Sequence, residues 1–330
     1  MGFLKNLFGQ LNNNTSFSDI DQNFINLVRA NENGEEWAKQ QIRQMWESND
    51  SSLVPRISRA WTVIYKDAAY AGDREAIIKY ARGLEWCDRQ DEALQWYMKL
   101  IDNGDTDAML ELAHDYTQYG GMGENPQEEL KWILLSAKAG NADAQAQAGT
   151  ELLIQGDRFT SAEWFRRSAE QGNPEGKLGY ARVLSEHMQA ISEYSSGLDE
   201  ISPGRYDCLS QYHISKGEDC KQILEDLYSE IEQLYIDVLN NSRNESSLTA
   251  AHMELANLYI RPPKNSYPAD PYRAAFFQYM CSYYFDHSYA RQQFQRIISE
   301  NSLTISPLDM QEWEKGRDFD DWADEHKIYD

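Results

Sequence analysis

The stretch AMLELAHDYTQYGGMGENPQEELKWILLSAKAG, from Ala108 to Gly140, reads as one helical hairpin. Ala108, Leu112, Ala113 and Tyr116 fall at i, i+4, i+5 and i+8 and form one apolar stripe. Leu130, Ile133, Leu134 and Ala137 form a second after the Gly120-Gly121 break. Neither helix buries its stripe alone, whereas a stack of such hairpins does. The stretch therefore predicts an all-α protein, an α-solenoid of stacked antiparallel helical hairpins.

Copies of both halves recur in register. Gly72, Gly104, Gly140 and Gly172 stand 32, 36 and 32 residues apart and open the phrases GDREA, GDTDA, GNADA and GNPEG. In each a helix-ending Gly precedes Asp or Asn, a good N-cap. Trp96, Trp132 and Trp164 stand eight residues before three of these glycines, with Ile64 in that place before Gly72. Counted from the opening small residue, Tyr80, Leu112, Ala148 and Tyr180 share one row. Ala81, Ala113, Gly149 and Ala181 share the next, and Leu84, Tyr116, Leu152 and Leu184 a third. These rows are read as core, and Trp132 as a buried ring.

At these residues the chain resembles the Sel-1-like repeat family, a relative of the tetratricopeptide repeat. Ala108, Leu112, Tyr116, Gly121, Trp132, Ala137 and Gly140 fit its pattern, while Asn125, Glu128 and Glu129 stand where Asp, Lys and Ala are usual. A further copy lies downstream. Ala251, Leu255, Ala256 and Tyr259 match the first helix, and Asp270, Arg273, Ala274 and Phe277 the second, with Phe for Trp. The resemblance covers residues 64–184 and 251–285. It implies that the first helix of each hairpin lines a concave groove, with the polar row Arg82, His114, Thr150, Arg182 and Asn257 facing it; Gln118 and Glu186 are counted with this row. Such repeats serve many functions, so the resemblance bears on mode of action more than on role.

The organisation that follows is one elongated domain. Residues 1–18 are a tail, 19–56 N-terminal capping helices, 57–186 the repeats, 187–220 a loop-rich insertion, 221–300 divergent repeats and 301–330 an acidic capping helix running from about Asp309 to His326. No run approaches the roughly 18 apolar residues of a membrane span. The tail is read as flexible or locally docked, with peripheral membrane or partner contact through Phe3, Leu4, Leu7 and Phe8 as the alternative. The net charge of −23 argues against nucleic acid and favours a basic protein or peptide partner, although self-repulsion that keeps a surface soluble accounts for the same number. Cys87, Cys208, Cys220 and Cys281 form no dense disulfide framework and point to a reducing, cytoplasmic setting.

Motifs for chemistry are sparse, and no cofactor is expected. Gly120, Gly121 and Gly123 follow no strand and precede no Gly-Lys-Ser/Thr, so they read as an inter-helix turn. Cys208, His213 and Cys220 have zinc-like spacing but need His187 as a fourth ligand, and a structural or mobile segment is the preferred reading. The carboxylates at Asp318, Asp320, Asp321, Asp324 and Glu325 lack a calcium-loop pattern and read as a solvated helix face. Phe276, Phe277, Tyr279, Tyr283, Tyr284 and Phe285 occupy packing positions and read as core. The sequence thus points to a non-enzymatic protein-interaction scaffold, in kind a bacterial immunity or regulatory adaptor protein; the rival is a metal-dependent enzyme or hydrolase on a helical scaffold.

Overall fold

The Gly phrases are the joints between hairpins. In the computed structural model Gly72, Gly104, Gly140 and Gly172 all adopt positive φ, between 84° and 101°, which a residue with a Cβ adopts only under strain. At each, the Gly N–H and the next N–H turn back onto carbonyls of the finished helix, as in Gly104 to Ile101 (2.9 Å) and Asp105 to Leu100 (3.1 Å). The following side chain then opens the next helix. Asp73 accepts from Ala76 N, Asp105 from Ala108 N, Asn141 from Ala144 N and Asn173 from Gly176 N, all at 2.8–3.0 Å. Each cap contributes about 1 kcal/mol.

The structure describes residues 22–48, 53–118, 120–195, 209, 212, 214, 220–263 and 267–329. Among the described residues there are 17 helices and no strand. The chain divides into two compact units between Ala144 and Gln145. The first unit holds α1 (Gln22–Glu32), α2 (Glu36–Glu47), α3 (Leu53–Ile64), α4 (Lys66–Tyr70), α5 (Arg74–Glu85), α6 (Gln90–Ile101), α7 (Thr106–Asp115) and α8 (Pro126–Lys138). The division falls inside α9 (Ala142–Ile154). The second unit continues with α10 (Arg158–Glu170), α11 (Pro174–Ser195), α12 (Lys221–Asn241), α13 (Glu245–Ile260), α14 (Pro271–Phe285), α15 (Ser288–Asn301), α16 (Pro307–Glu314) and α17 (Phe319–Glu325).

In the first unit α1 to α3 enclose Phe24, Val28, Ala38 and Leu53, and the hairpins α5–α6 and α7–α8 bury the predicted rows, with Ala81, Leu84, Ala108 and Leu112 fully covered. Trp96 and Trp164 are buried, each beneath a cation one turn on, Lys99 at 3.2 Å and Arg167 at 5.2 Å from the ring centroid. Trp132 differs. It is only half-buried, so it carries less of the core than its repeat position implies, and its buried Nε1 has no hydrogen-bond partner.

In the second unit Phe165 of α10 sits against two glycines. A Cβ on Gly149 would lie 2.8 Å from its ring, and one on Gly179 2.2 Å. This close approach explains why Gly149 replaces the alanine of its row. The acidic C-terminus is two helices rather than one, broken at Gly316 (φ 87°), and Trp313 and Trp322 pack ring against ring at 5.0 Å under the break. Of its carboxylates, Asp320 pairs with Arg273, Glu325 with Arg317, and Asp318 caps α17. The α14 cluster also departs from expectation: Phe276, Phe277 and Tyr279 pack on the core, but Tyr283 and Tyr284 are about half exposed because they lie on the outer face of α14.

The segment expected to be loop-rich from His187 is helical through Ser195. The apolar series Leu184, Met188 and Ile191 keeps its face buried, which sustains the helix past the usual end of the repeat. The tail 1–18, the rest of the insertion up to Cys208, and His213 lie outside the described residues.

Gly179→Ala is expected to destabilise the protein by about 1–3 kcal/mol, the usual cost of overpacking a filled site. Urea unfolding of the variant measures this; an unchanged midpoint would mean that the ring of Phe165 yields freely.

Candidate functional site

The predicted groove residues fall into two sets, one in each unit. In the first unit Arg82 points into a buried network instead of standing open. Its guanidinium pairs with Glu111 and lies 3.8 Å from Asp115, whose other carboxylate oxygen accepts from the Tyr97 hydroxyl at 2.5 Å. Glu85, one turn on from Arg82, is buried beside Asp115, and neither of its oxygens has a hydrogen-bond partner of ordinary geometry. The α7–α8 turn closes over this group. A Cβ on Gly121 would come within 2.6 Å of Glu85 Oε2, and Gln90 Nε2 reaches both Glu85 O and Gly121 O at 3.4 Å. His114 and Gln118 are exposed at the end of the same hairpin.

Burial pushes the Glu85 carboxyl up to about 10, with the Asp115 charge adding to the effect and Arg82 opposing it. Asp115 is raised by burial too, against the pull of Arg82 and the Tyr97 hydrogen bond. Glu85 is therefore a neutral acid at physiological pH. Two buried carboxylates beside one guanidinium do not both ionise at an acceptable cost.

In the second unit the first helices of two hairpins, α11 and α13, present parallel stripes. Ser185, Met188, Gln189, Ser192 and Glu193 line up on α11, and Glu254, Asn257, Leu258 and Arg261 on α13 and its cap. With Tyr235 of α12, Pro262 and Pro263 they enclose a partly open cavity of about 500 Å³. Tyr235 forms part of the lining; its hydroxyl hydrogen-bonds to Ser185, and burial followed by the Glu254 charge holds it protonated. Gln189 donates to Glu193 at 2.9 Å. Asn257 donates to Glu254 at 3.4 Å, and Arg182 stands 3.8 Å from Glu254.

Of the predicted residues, then, Asn257 lines the cavity and Arg182 borders it. Glu186 pairs with Arg158 at 3.5 Å, and the Thr150 hydroxyl turns back onto Ala146 O of its own helix at 3.1 Å. Sequence reading missed Ser185, Met188, Glu193, Tyr235, Leu258 and Arg261. The signal for the first three was the helical series continuing beyond Leu184.

No group of three or more His, Cys, Asp or Glu among the described residues is arranged to hold a metal ion. His187, considered as a zinc ligand, packs edge-on against Tyr212 at 5.9 Å, and burial holds it below the usual imidazole range. Among the described residues Cys87, Cys220 and Cys281 form no disulfide with one another. No helix among the described residues is long and apolar enough to cross a membrane.

No protein-family model matches the chain, and no curated protein matches it. Solved structures do. One is c5321, a protective antigen present in uropathogenic Escherichia coli strains and displaying an SLR fold, which matches at 18% identity and a TM-score of 0.51 over 90% of this chain. A Sel1 repeat protein from Oxalobacter formigenes matches at 16% identity and a TM-score of 0.42, over 78% of this chain and 99% of its own. The chain has the helical-hairpin fold of Sel1-like repeat proteins, as its sequence pattern predicts. It spans 60% of the length of the first of these neighbours.

Glu85 makes stability depend on pH. Its folded pKa lies above its unfolded value, so the folded state holds the extra proton between about pH 4.5 and 10, and stability falls as pH rises through that window. Glu85→Gln is expected to flatten this fall, whose slope for one proton is on the order of 1 kcal/mol per pH unit, and to raise the unfolding midpoint at pH 8. Urea unfolding at pH 6 and pH 8 checks it; equal pH dependence in both proteins would place the charge on Glu85 after all.

Proposed function

We propose that this chain is a non-enzymatic protein-interaction scaffold, an immunity or regulatory adaptor in kind, working in the cytoplasm. It holds a basic protein or peptide against the faces that its first helices carry. The observation behind this reading is the cavity between α11 and α13, where apolar walls and converging amide, hydroxyl and carboxylate groups give a polypeptide both burial and hydrogen bonds. The net charge of −23 supports the basic character of the partner. His114 and Gln118 in the first unit, and Thr150, Arg182, Glu186 and Asn257 in the second, are the proposed contact positions. Arg82 serves the fold instead, since its guanidinium is engaged by Glu111 and Asp115.

The test begins with a partner captured by the intact chain and identified. Association is expected to slow as salt rises, because exposed charges are screened beyond about 8 Å at physiological ionic strength. Replacing His114, Arg182 and Asn257 together by Ala weakens binding by about 1–2 kcal/mol for each residue that is a true anchor, with the helical circular dichroism unchanged. Unaltered affinity in that variant would reject these positions. A stoichiometric metal ion retained by the purified protein, with hydrolytic turnover, would favour the enzyme instead.

A further inference from the structure

The hairpin α11–α12 breaks the dimensions of the others. Helices α5 to α10 are 10–13 residues long, whereas α11 has 22 and α12 has 21. Measured from the opening small residue of each repeat, α5, α7, α9 and α13 end at Glu85, Asp115, Ile154 and Ile260, close to the Leu84, Tyr116, Leu152 and Tyr259 row. Helix α11 runs on past Leu184 to Ser195. Its last turns supply Met188, Gln189, Ser192 and Glu193, so the cavity exists because this helix overhangs the end of α13.

The overhang gives the cavity a defined chemistry. Met188, Leu258 and Tyr235 are buried and provide an apolar lining. Above them each helix carries a carboxylate with an amide one turn away, Glu193 with Gln189 on α11 and Glu254 with Asn257 on α13. The cavity also lies toward the C-terminal ends of both helices, where the helix dipole is negative. Two carboxylates and two negative helix ends outweigh the two cations, Arg261, exposed at the cap of α13, and Arg182, which borders the cavity 3.8 Å from Glu254.

We propose that this overhang pocket selects a polypeptide segment in which an apolar side chain adjoins a basic one. The apolar group enters between Met188, Leu258 and Tyr235, the cation meets Glu193 and Glu254, and the Gln189 and Asn257 amides turn from their carboxylates to the bound main chain. The proposal rests on the scaffold reading above and adds to it the place and the sequence preference of one contact.

The experiment uses the full chain and end-blocked, fluorescein-labelled heptapeptides of Gly and Ser that carry a central Leu-Lys, Leu-Glu or Ser-Lys pair, read by anisotropy. The Leu-Lys peptide is expected to bind at least about tenfold more tightly than the other two, a difference of about 1.4 kcal/mol. Gln189→Trp, which fills the mouth from an exposed position, lowers that affinity at least about tenfold, and Glu193→Lys inverts the preference toward Leu-Glu. Circular dichroism and unfolding midpoints establish that both variants are folded. Equal affinity for the three peptides, no binding at millimolar concentration, or binding indifferent to Gln189→Trp overturns the pocket. Loss of the captured protein partner when His114 and Gln118, which lie outside the pocket, are replaced by Ala would still stand in that case, so failure of the pocket and failure of the scaffold are distinguishable.

Discussion

The left-handed glycine followed by a capping Asp or Asn is the constraint on which each hairpin stack depends. It ends one helix and starts the next within a single turn of backbone, so the direction of the new helix is set before any side chain packs. Only then do the small residues Ala76, Ala108 and Ala144 land where two backbones approach, and the large residues of the following rows meet their neighbours. Substituting the glycine strains the joint between the two helices it connects, because a residue with a Cβ adopts that φ only at a cost.

That joint is also why so much of the fold was legible. Gly and its cap act through contacts a few residues away, and the alternation of Tyr80, Ala81 and Leu84 repeats them in register, so local chemistry and global packing agree. Legibility failed where the cause was not local. Helix α15 follows a left-handed Asp286 and is capped by His287, an unusual cap that gives no Gly phrase to read. Tyr283 and Tyr284 look like core by composition and are outside by rotation about α14.

The site was legible only in part. Asn257 and Arg182 were found because they share the polar row of their repeats. Glu193 and Arg261 belong to no row, since they sit beyond the repeat itself. Arg82 illustrates the opposite error. It shares the row, yet Glu85 and Asp115, inherited from the same two hairpins, draw it inward. A row fixes which face a side chain starts from, while buried charge decides where it finishes.

The lengths of these contacts in the chain carry a consequence for synthesis. In the first unit the ties between hairpins join residues about thirty apart: Arg74 with Asp105, Arg82 with Glu111, Gln90 with Gly121. A hairpin leaving the ribosome therefore finds its docking surface already made, and contacts of such short range favour fast assembly. The overhanging helix is different. Lys177 waits for Asp237, sixty residues on, and Glu175 for Ser247, seventy-two on. Until that stretch is made, α11 is covered only on the side where Phe165 and Ser168 of α10 lie against Gly179 and Gly176, and the face that meets α12 and α13 stays open.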